Sequence, residues 1–166
     1  MIEKVVTIGA IGFDADSFFR ALQDAGVDTL CDIRARRAVR GHDYAFANSQ
    51  RLQTRLSELG IRYRHRLDLA PTPAMRQRQA AADDAAGIAR RQRSELSPAF
   101  VTAFEREVLG PFDPQSLLDD LPPDARVVAL LCVEREPAAC HRSLVAARLR
   151  EAWGVEVVHL TPGVKQ

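Results

Sequence analysis

Lysine is nearly missing from this chain of 166 residues. Only Lys4 and Lys165 interrupt a basic complement of 23 that is otherwise arginine. A base composition favouring arginine codons accounts for that preference, but not for where the arginines fall. Long apolar runs are lacking too. None approaches the roughly 20 residues of a membrane-crossing helix, which excludes a spanning segment and argues against a membrane partner. Cysteine is scarce and odd in number, at Cys31, Cys132 and Cys140, with no paired C-x-x-C. That speaks against a disulfide framework and against a four-ligand structural zinc site. Met1-Ile2-Glu3-Lys4 leads straight into strand-like residues without the layout of a signal peptide. A cytoplasmic protein with reduced thiols is therefore expected.

What is present supports one α/β domain over residues 1–166, with no repeat and no linker. At 46% hydrophobic residues the chain can bury a core without staples. Its formal net charge of +1 hides an uneven distribution. Residues 1–33 carry 2 basic and 6 acidic side chains, residues 34–93 carry 14 and 5, and residues 94–166 carry 7 and 11. A middle segment of net +9 inside a nearly neutral protein is the footprint expected for a phosphate-bearing partner, a nucleotide or nucleic acid.

Periodicity organises the rest. Lys4 to Ile8 reads as a buried strand ended by Gly9. Asp14 caps a helix with Phe18, Phe19 and Leu22 on one face, Gly26 closes it, and Val27 to Ile33 is a second strand. Residues 35–47 read as an arginine-rich loop. A helix follows with Leu52, Leu56 and Leu59, stopped by Gly60, and Ile61 to Arg66 alternates as an edge strand with an accessible row of Arg62, Arg64 and Arg66. Ala74 to Arg93 is helix-prone with little to bury, and Pro98 to Leu109 is a helix carrying Phe100, Phe104 and Val108. Gln115 to Leu121 forms a further turn or two. The run Val127 to Val133 is a central parallel strand, followed by a polar loop, a helix from Cys140 to Trp153, Gly154, and a strand from Val155 to Leu160. Two strand–helix–strand units predict an open, mainly parallel sheet of about five strands with helices on both faces, a three-layer, Rossmann-like architecture.

Ligands in such sheets bind beyond the carboxyl ends of the strands. Asp32 and Arg34 sit at that end of the second strand, and Cys132 and Glu134 at that end of the fourth. The helix after Glu134 opens with Cys140, His141, Arg142 and Ser143, where unpaired backbone N–H groups and the helix dipole favour an anion. Arg34 and Arg142 are the expected anion holders, with Cys132 and Ser143 beside them. Asp32, Glu134, His141 and Cys140 are the candidates for acid, base or nucleophile. Cys140 beside His141 at a helix start is where a thiolate is favoured. Cys132 and Arg142 stand ten positions apart, too far for a tight phosphatase-type cradle. Cys132, Cys140 and His141 also supply three metal-ligand types, but adjacent residues of one helix point in different directions, so no metal site is expected. Tyr44 offers a ring for base stacking, while Phe46 is expected in the core.

These residues carry a resemblance. Thr7-Ile8-Gly9, Asp32-Ile33-Arg34, Leu59-Gly60-Ile61-Arg62-Tyr63 and Val157 to Leu160 resemble the bacterial and archaeal family called domain of unknown function 488. Most diagnostic is Cys132-Val133-Glu134-x-x-Pro137-x-x-Cys140-His141-Arg142-Ser143. The likeness extends over nearly the whole chain. It implies an α/β fold and a shared site of Asp32, Arg34, Cys132, Glu134, Cys140, His141 and Arg142, and it supplies no activity or cofactor. Two departures are visible: Ala10-Ile11 replaces the family's usual His-Ser, and Leu69-Ala70-Pro71 its Leu-Gly-Gly. Three readings follow: a hydrolase-like pocket for a nucleotide or nucleic acid, a thiol- or metal-dependent enzyme on Cys132, Cys140 and His141, and a non-catalytic interaction module.

Overall fold

Alternation along the strands explains the layers. The computed structural model describes residues 1–163. Strands β1 (Lys4–Gly9), β2 (Thr29–Asp32), β3 (Arg62–His65), β4 (Val127–Cys132) and β5 (Glu156–Leu160) form one sheet in the order β3-β2-β4-β1-β5, every pair parallel. The helices are α1 (Ala15–Asp24), α2 (Ser49–Glu58), α3 (Pro73–Ala86), α4 (Pro98–Phe104), α5 (Pro114–Asp120) and α6 (His141–Trp153). Val6, Ile8, Leu30 and Leu131 point to one face and pack on Phe18, Phe19 and Leu22 of α1 and Leu52 and Leu56 of α2. Their neighbours Val5, Cys31, Val128 and Leu130 point the other way, against Met75 of α3, Phe100 and Phe104 of α4, Leu117 of α5 and Val145 and Leu149 of α6. This is the three-layer α/β arrangement that the periodicity predicts. Gly9 pairs with Cys132 and Asp32 with Leu131, so β1, β2 and β4 end at one rim.

Several elements differ from expectation for identifiable reasons. The helix over 74–93 ends at Ala86, where Gly87 turns left-handed, and a short 3-10 turn follows at Arg90–Gln92. Its inner face is polar rather than empty. Gln79 and Asp83 are buried one turn apart, and Gln79 Nε2 donates to Asp83 at 2.8 Å while Gln79 Oε1 accepts the Ser97 N–H. Arg93 completes the group with a 2.7 Å ion pair to Asp83. A pattern search for apolar periodicity misses a helix face buried through hydrogen bonds. The helix from Pro98 stops at Phe104 and widens into a π-helical turn over Glu105–Leu109. The loop at 35–47 holds a 3-10 turn at His42–Ala47. Among the described residues no helix is long and apolar enough to cross a membrane.

Edge strand β3 does not present a free basic row. Arg62 is paired with Asp28 and Asp124, Arg66 with Asp68, and Arg64 donates to the Asp120 carbonyl. Several of these partners come from the acidic flanking segments, so the charge separation seen along the chain is undone in space. Asp28 is the hub of this end of the sheet. Its Oδ2 accepts the backbone N–H groups of Arg126 and Val127 at 2.8 and 2.9 Å, and its Oδ1 accepts the Thr29 hydroxyl and Arg62. Burial pushes this carboxyl up, but those hydrogen bonds together hold it below its ordinary value of 3.8. A carboxylate depressed in the folded state stabilises the fold above its unfolded value, and that contribution is lost as pH falls through the folded value. Asp28→Asn is therefore expected to cost about 1–3 kcal/mol at neutral pH. The gap from wild type should close in acid, as read by denaturant unfolding over a pH series.

Candidate functional site

The two distant stretches of chain meet at the rim. His141 Nε2 lies 2.8 Å from the carbonyl of Ile33, tying the first turn of α6 to the end of β2. A carbonyl only accepts, so Nε2 carries the hydrogen, and in the neutral ring Nδ1 is left as a lone pair. That Nδ1 faces Cys132 Sγ at 3.3 Å and Cys140 Sγ at 3.8 Å. Adjacent residues 140 and 141 converge because Cys140 is not helical. It is the N-cap of α6 with extended backbone (φ −138°, ψ 146°) and sends its sulfur inward while His141 begins the helix. The expectation that the two point apart treated both as helical, and it is corrected on that ground.

Arg142 holds this loop in place. It is fully buried; its Nε donates to Thr7 Oγ1 at 3.2 Å and its terminal nitrogens donate to the carbonyls of Glu134 and Arg135. Since the Thr7 hydroxyl accepts from Arg142, its one hydrogen goes to His159 Nδ1 at 2.6 Å. Burial and the nearby Arg142 and Arg150 push His159 down, in keeping with a neutral acceptor. Gly9 makes the approach possible, because a Cβ there would sit 1.8 Å from the Glu134 oxygen and 2.6 Å from Arg142. Thr7 and Gly9 were visible in the sequence only as part of a motif. Their roles follow once β1 is seen beside the loop.

Asp32 and Arg34 form a buried, bidentate ion pair. Nε and one terminal nitrogen of Arg34 each lie 2.9 Å from a carboxylate oxygen, and the other terminal nitrogen donates to the Ala47 carbonyl. Asp32 also accepts the Tyr63 hydroxyl at 2.6 Å and has no exposed surface. Ser143 turns back to the Cys140 carbonyl at 2.9 Å. Arg34, Arg142, Asp32 and Ser143 are thus brought to the rim, but each is engaged with the protein itself.

Open space lies beside them. A cavity of about 640 Å³ reaches from Cys132, Cys140 and His141 at its floor to α3 and the loops after β2 and α3. Seven arginines line it against three carboxylates, Asp83, Asp84 and Glu134. Among the described residues Arg36, Arg40 and Arg76 are exposed and have no side-chain partner, whereas Arg90 is paired with Glu134 and Arg93 with Asp83. Arg91 donates to the Arg40 carbonyl and lies over the Tyr44 ring at 5.3 Å, so that ring is already covered; Phe46 packs on Phe18. Burial pushes the Glu134 carboxyl up, more than Arg90 draws it down, and Cys140 adds to the rise. Burial raises both rim thiols. Cys140 nevertheless ends well below its usual range through its hydrogen bond with Cys132 and the field of Arg142, while Cys132 stays high. Cys31 is buried in the core and pushed up to about 12. A more open depression of about 830 Å³ between α1 and α2 contains none of the candidate residues.

Two substitutions test this junction. Thr7→Val leaves the buried Arg142 Nε without an acceptor and should destabilise by about 1–3 kcal/mol. Gly9→Ala should cost about 3 kcal/mol or more by forcing the loop off β1. Both are read as denaturant midpoints, and Gly26→Ala, with open space around its Cβ position, is the backbone-strain control.

Comparison with known families adds the chain's membership. The family model described as "Domain of unknown function DUF488" matches residues 14–149. That range contains Asp32, Arg34 and the whole loop from Cys132 to Ser143, with β1 and β5 outside it. No curated protein and no solved structure matches. With the matched range covering most of its length, the chain belongs to the family of the domain of unknown function DUF488.

Proposed function

We propose that the rim cavity binds a phosphate-bearing ligand of nucleotide size, free or as part of a nucleic-acid strand, with hydrolysis as the reaction if chemistry follows. The observation that carries this is the set of exposed, unpartnered arginines, Arg36, Arg40 and Arg76, around a cavity of about 640 Å³. Ligand pockets commonly run about 300–1,000 Å³, and guanidinium groups are suited to forked contacts with phosphate. In this reading Arg34 and Arg142 are positioning residues: one fixes the end of β2, the other the loop of the site. Glu134 and the Cys140–His141 pair stand nearest to any reaction. A free thiol nucleophile is the weaker reading, because Cys132 and Cys140 are only 4% and 2% exposed.

The test is direct titration of nucleoside mono-, di- and triphosphates and short single-stranded oligonucleotides, at low and moderate salt. Wild type should bind, more weakly as salt rises. Arg36→Ala with Arg40→Ala should weaken binding about a hundredfold or more, since each of the two lost charge-assisted hydrogen bonds is worth about 1.5–3 kcal/mol. Both side chains are exposed, so the fold should be untouched. Equal, negligible binding by wild type and variant would remove the proposal.

A further inference from the structure

We infer that Cys132, Cys140 and His141 form a binding site for a soft divalent cation of the zinc type, with one coordination position open to the cavity. The inference concerns the cavity floor and stands whether or not the rim arginines bind phosphate.

Three observations converge on it. The first is spacing. The two sulfurs and one ring nitrogen all lie within 4.8 Å of one another, with sulfur-to-Nδ1 distances of 3.3 and 3.8 Å. Zinc bonds of about 2.3 Å to sulfur and 2.0–2.1 Å to nitrogen at a tetrahedral angle put neighbouring ligand atoms about 3.5–3.8 Å apart. The donors already stand near the separation that the ion imposes.

The second is orientation. The Ile33 carbonyl takes the Nε2–H of His141, which turns the Nδ1 lone pair toward the sulfurs. A metal-ligating histidine commonly has its other ring nitrogen bonded in this way, which fixes both tautomer and ring plane. Phe104 packs against the same ring at 5.5 Å between centroids. Cys140 contributes because its extended cap backbone faces its sulfur inward, and Cys132 because it ends a central strand. The three donors therefore come from rigid positions rather than from a mobile loop.

The third is donor chemistry and access. Two thiolates and an imidazole select zinc-like ions over magnesium or calcium, which prefer oxygen. Three protein ligands leave a fourth position free, and all three residues line the cavity, so that position faces it. Two thiolates would neutralise a divalent ion. The buried Arg142 nearby, with no carboxylate in ion-pair range among the described residues, would then favour an anionic occupant of the fourth position.

The experiment uses the full chain, reduced and kept free of oxygen, with zinc and then cobalt(II) as probes. After one equivalent of zinc and gel filtration, wild type should retain one ion per chain by elemental analysis. Cobalt(II) should give the intense near-ultraviolet thiolate band and the visible bands of a tetrahedral site. Cys31→Ser should behave as wild type. Cys132→Ser with Cys140→Ser, and separately His141→Ala, should lose the ion while keeping their circular dichroism. If those variants do not fold, zinc must protect two of the wild-type thiols from alkylation, mapped by mass spectrometry to Cys132 and Cys140. A reduced, folded wild type that retains no zinc overturns the inference. So does zinc that is held equally well without the two rim cysteines, or an octahedral, oxygen-type cobalt spectrum.

Discussion

A guanidinium with no exposed surface and no carboxylate beside it is an expensive thing to bury. Arg142 meets that cost with geometry: carbonyls from Glu134 and Arg135 and the hydroxyl of Thr7 surround it, and none of the three can move without exposing the charge to apolar packing. The loop after β4 is therefore held against β1. Gly9 is required at the point of closest approach, and His159 is held as the acceptor at the far end of the Thr7 hydroxyl. The unbalanced positive charge also sets the local field. It favours negative charge on the sulfurs next to it and resists further cations in the loop unless anions accompany them.

The same clamp orients the start of α6. With the loop fixed, Cys140 must enter the helix in extended conformation, and His141 falls opposite the end of β2, where the Ile33 carbonyl takes its Nε2 hydrogen. Beyond this floor, α3 contributes a wall built on the Gln79–Asp83–Arg93 group rather than on apolar contacts. That choice keeps the wall polar where it meets the cavity. Around the cavity the arginines that remain free are Arg36 and Arg40 of the loop after β2 and Arg76 of α3, because the others lining it are engaged: Arg34 by Asp32, Arg90 by Glu134, Arg93 by Asp83, and Arg91 by the Arg40 carbonyl and the Tyr44 ring.

Strands and most helices were legible because burial on one or both faces leaves a clean mark: the run at 127–133, the Phe18–Phe19–Leu22 face and the caps at Asp14, Gly26 and Gly154 all locate real elements. The rim residues were also legible as a group, since parallel strands of known direction must end together. What could not be read was the direction in which each rim side chain is used. Asp32 and Arg34 bind each other, and Arg142 is held by carbonyls of its own loop, contacts that the spacing of these residues does not announce. A carbonyl leaves no trace in sequence. Nor does the cap conformation of Cys140, on which the meeting of two adjacent side chains depends. The buried polar face of α3 was hidden for a related reason: hydrogen-bonded Gln and Asp look like solvated residues to any hydropathy pattern.

Nitrogen NMR of the reduced, metal-free chain with labelled histidine tests the central claim most directly. The clamp by Arg142 predicts that the His141 ring is held in one orientation, with a hydrogen on Nε2 that exchanges slowly because the Ile33 carbonyl retains it. A bare Nε2, or an Nε2 hydrogen that exchanges as fast as in free histidine, would mean that the start of α6 is not held against β2, and the account of the site would fail.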